Sequence, residues 1–162
     1  MALFFLICLS SCATTKVYLV RHAEKAGSGP ADGLKAPEGV NRANALKDYF
    51  KGKALHGVYS TNYPRTIQTA QPVAAVKGLA VLGYNNGDSL LADILQKKNR
   101  RYVVVGHSNT IPQMIRAAGL DPSYSGNIPD NEFDNLYIIT VKRKNSSLIK
   151  SIERKKYGAA TP

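Results

Sequence analysis

Two arginines and two histidines stand where apolar runs break off, and these residue types bind and transfer anionic groups. Val17-Tyr18-Leu19-Val20 ends in Arg21-His22, and the run Arg101 to Gly106 ends in His107-Ser108-Asn109. A third run, His56 to Ser60, gives way to Thr61-Asn62-Tyr63-Pro64-Arg65. A guanidinium matches phosphate oxygens in a two-pronged fork, and charge-assisted hydrogen bonds are about twice as strong as neutral ones. An imidazole can attack phosphorus directly, dividing hydrolysis into two displacements. The blander reading is that polar residues merely close these strands. Whether the fold brings the four together decides between the two.

The elements around them alternate. Lys16–Val20 reads as a strand, Ala26–Pro37 as a Gly- and Pro-rich loop, and Glu38–Lys51 as a helix with Val40, Ala43, Leu46, Tyr49 and Phe50 on one side. His56–Ser60 is a second strand. Asn62 can cap a helix that has Pro64 in its first turn, that Pro72 should kink or split, and that Gly78 ends. Leu79–Leu82 is a short strand and Asp88–Lys98 a helix. "RYVVVGH" is apolar throughout, as in a strand covered on both faces. Thr110–Ala118 is helical and stops at Gly119, and Tyr137–Val141 with Leu148–Ile152 form a hairpin around Asn145-Ser146. Such alternation predicts a three-layer α/β/α sandwich with a mostly parallel sheet.

In a parallel sheet the carboxyl ends share one edge, where open α/β folds bind ligands. Arg21, His22, Arg65 and His107 therefore converge on one rim beside two helix N-termini, which add backbone donors and partial positive charge. His56 begins a strand, on the opposite edge, and reads as structural.

The segments "VRHAEK", "YSTNYPRTIQTA" and "VVVGHSNT" resemble the signature segments of the histidine phosphatase superfamily, also called phosphoglycerate-mutase-like, in the family's order. The similarity runs from about Lys16 to Val141. It implies that His22 is the nucleophile that becomes phosphohistidine. Arg21, Arg65 and His107, with Ser108 and Asn109 beside them, would bind the phosphoryl group. The guanidinium pair would replace a Mg²⁺ clamp, so no metal or other cofactor is expected. Attack needs neutral His22, and the surrounding cations should depress its pKa.

Two positions depart from the family pattern. Ala23 stands where Gly usually follows the nucleophile. The acid that protonates the leaving group in larger relatives comes from a segment that here reads "GYNNGDSLL", where Asp88 is a poor candidate. Glu24 is better placed, though it could equally hold an arginine. Asp130, Glu132 and Asp134 in "PDNEFDN" read as structural.

The 162 residues fit one domain. The net charge of +11 points to anionic partners. "MALFFLICLSSC" is too short to span a bilayer as a helix and reads as a secretion signal, residues 1–11, with a lipobox-like end at Cys12. No Lys or Arg precedes Lys16, which leaves open a start upstream of Met1. On this reading Cys8 leaves with the signal and Cys12 carries lipid at the head of a domain spanning 12–162, with no cysteine left for disulfides or metal. Ala13 after the cysteine, as in lipoproteins without an inner-membrane retention signal, favours the periplasmic face of an outer membrane.

The leading expectation is a monomeric, lipid-anchored, metal-independent phosphoric monoester hydrolase of the histidine acid phosphatase type. Its substrate would be a phosphomonoester or an exposed phosphohistidine. Two alternatives stand beside it: a non-catalytic phosphate-binding module, and a basic surface protein binding an anionic polymer or lipid. The basic run 142–156 suits the last, but it lacks the interleaved aromatics of a nucleic-acid surface. A nucleic-acid partner is not expected.

Overall fold

The computed structural model describes residues 12–123 and 126–161. The elements run β1 (Cys12–Arg21), α1 (Glu38–Tyr49), β2 (Gly57–Ser60), α2 (Pro64–Val76), β3 (Val81–Gly83), α3 (Gly87–Gln96), β4 (Arg101–Gly106), α4 (Thr110–Ala117), β5 (Asn135–Lys144) and β6 (Ser147–Lys156). Six strands form one sheet in the order β3-β2-β4-β1-β5-β6. The first four are parallel, and β5 and β6 add on antiparallel.

Alternation along β1 builds the two halves of the core, because successive side chains leave a strand on opposite faces. Val17 and Leu19 join Leu91, Ile94, Met114 and Ile115 of α3 and α4. Tyr18 and Val20 join Leu46 and Phe50 from α1 and its C-cap, and Ala70 and Val73 of α2. The sandwich and its hairpin are as the sequence predicts, and Asn145 takes the left-handed turn between β5 and β6 (φ 54°).

Several details differ. β1 begins at Cys12 rather than Lys16, because its first residues find a partner in the far end of β5, with Cys12 opposite Lys144. Tyr63, not Asn62, is the N-cap of α2. That helix runs unbroken through Pro72. A proline forfeits one hydrogen bond of the ladder, and here the flanking turns stay helical because Thr69, Ala70, Val73 and Ala74 are buried. Val40 of α1 is 44% exposed, and Arg42 is buried on that helix instead.

Candidate active site

The carboxyl ends of β1, β2 and β4 do meet. A cleft of about 480 Å³ is lined by Arg21, His22, Arg65, His107, Ser108 and Asn109, joined by Lys25, Thr61, Tyr63, Asn85, Thr110 and Asp130. Gly106 lets β4 turn into this edge. A Cβ there would lie 2.8 Å from Thr110 Oγ1 and 2.9 Å from the Tyr84 hydroxyl, so only glycine fits without movement.

Arg21 is fixed from the segment before β5. Its Nη1 donates to the carbonyls of Pro129 (2.8 Å), Asp130 (3.1 Å) and Glu132 (3.2 Å), and its guanidinium lies 4.2 Å from the Phe133 ring centroid. Arg65 is held more loosely. It stacks on Tyr63 at 4.5 Å and reaches the Gly29 and Pro30 carbonyls only at 3.5 Å, the outer limit of a hydrogen bond. The Nε of each arginine is buried with no partner among the described residues. Leaving buried donors unmatched is costly, and an oxyanion is the ligand that suits them.

His22 is 4% exposed. Its Nδ1 lies 2.7 Å from the Ala23 carbonyl. A carbonyl only accepts, so Nδ1 carries the proton and Nε2 keeps a free lone pair, the form of the ring that can act as a nucleophile. His107 stands edge-on to it, with ring centroids 5.4 Å apart. His107 Nε2 lies 2.9 Å from Thr61 Oγ1. The Thr66 hydroxyl donates to a backbone carbonyl and so must accept from Thr61, which leaves Thr61 to accept from the His107 Nε2–H. A phosphoryl oxygen in the cleft would compete with Thr61 for that proton.

Burial, more than the cations credited from sequence, sets the protonation of both rings. It pushes His22 down to about 3, against the Ala23 hydrogen bond and with the help of Arg21, His107 and Arg65. It pushes His107 down to about 4, with Arg65 and Arg21 adding. A histidine depressed in the fold gives stability that is complete above the unfolded value near 6.5 and is lost as pH falls below it. For His22 the loss is about 1.4 kcal/mol per pH unit until the folded value is approached. Half-buried His107 contributes less. Imidazole NMR signals of both should stay in the neutral position from pH 8 to 5, while Tm declines below pH 6.5. A His22 midpoint near 6.5 would overturn this account.

The acidic candidates separate. Glu24 is turned from the cleft into a fork with Arg42, accepting from its Nε (2.9 and 3.0 Å) and Nη2 (2.7 Å), so it takes the arginine-holding role. Asp88 accepts from the Gln113 amide (2.9 Å) on the α3–α4 side and lines no part of the cleft. Asp134 receives Lys156 (2.8 Å) and Thr161 (2.7 Å), and Glu132 accepts from Asn135 (2.8 Å). Asp130 is placed differently. Its side chain is 99% exposed, lies on the cleft, and approaches Arg21 Nη2 at 3.5 Å. No motif marks it, because the loop from α4 to β5 alone brings it there.

Residues 17–86 match the model of the histidine phosphatase superfamily (branch 1), a span that holds Arg21, His22 and Arg65. No curated protein matches the chain. Among solved structures, a candidate phosphohistidine phosphatase SixA from Nakamurella multipartitia is 19% identical, with 90% of this chain and 98% of that one covered at TM-score 0.59. The protein histidine phosphatase SixA complexed with tungstate is 16% identical, with 87% and 96% covered at 0.62. A mycobacterial glucosyl-3-phosphoglycerate phosphatase is 12% identical, with 82% and 97% covered at 0.63. At these identities the structures establish a shared fold.

Proposed function

We propose that this chain, a member of the histidine phosphatase superfamily through residues 17–86, is a phosphohydrolase that works through a phosphohistidine at His22. The observation that carries this reading is the buried His22 ring, its Nδ1 pinned to a carbonyl and its Nε2 left as a lone pair, in a cleft shared with two guanidiniums and His107. Nε2 attacks phosphorus as the bond from phosphorus to the leaving oxygen breaks. Arg21, Arg65 and His107 bind the equatorial oxygens, where charge grows in the transition state. Ser108 and Asn109 line the same wall, where α4 begins. Asp130 on the cleft wall passes a proton from solvent to the leaving oxygen. Water then attacks the phosphohistidine, returns a proton to Asp130 and releases inorganic phosphate.

Among the described residues the cleft is open to solvent. Small phosphomonoesters and a phosphohistidine displayed on another protein both fit, and fold likeness to SixA structures supports the second. Among the described residues no group of three His, Cys, Asp or Glu is set to hold a metal. Turnover of an aryl phosphate should therefore persist in excess chelator, and its loss there with rescue by a divalent ion would refute the two-arginine mechanism. In the same assay Asp130→Asn should slow alkyl phosphates, whose leaving groups need a proton, by about 10²- to 10³-fold and leave aryl phosphates nearly unchanged. Equal slowing of both would remove Asp130 as the proton donor.

We also propose that the chain is a lipoprotein anchored through Cys12, facing the periplasm. The sequence 1–12 supports this, and Cys12, the first described residue, is an exposed free thiol. Residues 1–11 and Cys8 lie outside the described residues. Mass spectrometry of membrane-extracted protein should show a diacylated Cys12 peptide, and an intact Met1-to-Lys16 peptide would refute the anchor.

A further inference from the structure

The pole opposite the cleft is built from the amino ends of the parallel strands and the tip of the β5–β6 hairpin. Four stretches meet there. Lys16 N donates to the Arg100 carbonyl and Thr14 N to Asn99 Oδ1. His56 N donates to the Arg101 carbonyl, and Arg143 Nη1 reaches the Lys97 carbonyl at 3.4 Å. Residues 12–16, 51–56, 97–101 and 142–150 together contain eleven Lys and Arg and no Asp or Glu. That is half of the chain's 22 basic side chains and equals its whole net charge of +11. Within this charge the hairpin shows Leu148 at 49% and Ile149 at 62% exposure. Cys12, the proposed attachment point, lies at the same pole, since β1 starts there opposite Lys144.

From these features we infer that this pole is a docking surface for an anionic bilayer. Clustered Lys and Arg beside a membrane attachment point bind acidic headgroups. Leu148 and Ile149 are placed to enter the headgroup layer while the basic side chains around them meet phosphates. β1 then acts as a spacer. Its ten residues, at about 3.3 Å each, put Arg21 and His22 roughly 30 Å from the surface, with the cleft facing away from the lipid. A nucleic acid could use the same charge but has no use for the exposed Leu148 and Ile149.

The test is vesicle flotation with the full chain made by cell-free synthesis, where no lipid is attached, so its result does not depend on modification of Cys12. Vesicles of phosphatidylcholine alone are compared with vesicles containing about a third phosphatidylglycerol. The anionic vesicles should bind at least about tenfold more tightly. Arg100→Glu/Lys144→Glu should remove that preference, and Leu148→Ser/Ile149→Ser should weaken binding to the anionic vesicles several-fold. Lys35→Glu/Lys155→Glu, which changes net charge equally elsewhere, should alter it less than twofold, and aryl phosphate turnover should be the same in all. Equal binding to both vesicle types, equal losses in the pole and control variants, or charge-dependent binding to an oligonucleotide without vesicle preference would each overturn the proposal.

Discussion

His22→Ala is expected to abolish turnover and leave no acid-labile phosphoenzyme, while still binding vanadate. The covalent route needs the Nε2 lone pair of the neutral His22 ring. His107 Nε2 carries the proton shared with Thr61, and the remaining cleft cations have no lone pair to offer. Oxyanion binding should survive because Arg21, Arg65 and His107 remain. His107→Ala removes one donor to the phosphoryl oxygens, a loss of about 3 to 4 kcal/mol, or roughly 10²- to 10³-fold in rate. It should still accumulate the phosphoenzyme. Rapid acid quench with a ³²P-labelled substrate separates the two. Label retained in His22→Ala and lost in His107→Ala would mean that the nucleophile follows β4, not β1.

The second large effect is on stability. Glu24→Ala should lower unfolding free energy by about 3 to 5 kcal/mol, because it strands a buried guanidinium. The Arg42 side chain is 4% and that of Glu24 17% exposed. Arg42 Nη1 also donates to the Tyr157 and Ala159 carbonyls, so the pair ties the loop after β1 to α1 and to the chain after β6. Glu24→Gln keeps an acceptor and should lose less. With either variant, measured well below its lowered Tm, kcat for alkyl and aryl phosphates should fall by the same small factor. A selective loss on alkyl phosphates would instead make Glu24 the proton donor and return Asp130 to a structural role.

The two carboxylates show where sequence reading stops. Glu24 is two residues from His22, so proximity along the chain suggested proximity in chemistry. At the loop after β1, however, the chain turns and aims Glu24 at the buried Arg42 of α1. Asp130 is 108 residues from His22 and reaches the cleft only because Arg21 pulls in the carbonyls of Pro129, Asp130 and Glu132. Side-chain direction in loops depends on such long-range pairings, which no local pattern encodes. The same holds for Pro72, where burial of the surrounding turns kept α2 whole.

What the sequence by itself determined is the order of strands and helices and the four residues at the cleft. Apolar runs ending in Arg21-His22 and Gly106-His107 announce both a strand and its carboxyl edge, and parallel pairing of β1 with β4 then forces the two histidines together, Arg21 opposite Gly106. Hydrophobic periodicity and strand polarity are local properties, so they survive in the chain as text. Tertiary structure alone decided the protonation of His22, since burial contributes more than charge, and the gathering of four basic stretches onto the pole far from the cleft. Desolvation and summed charge are properties of three-dimensional neighbourhoods, and these neighbours are separated by tens of residues along the chain.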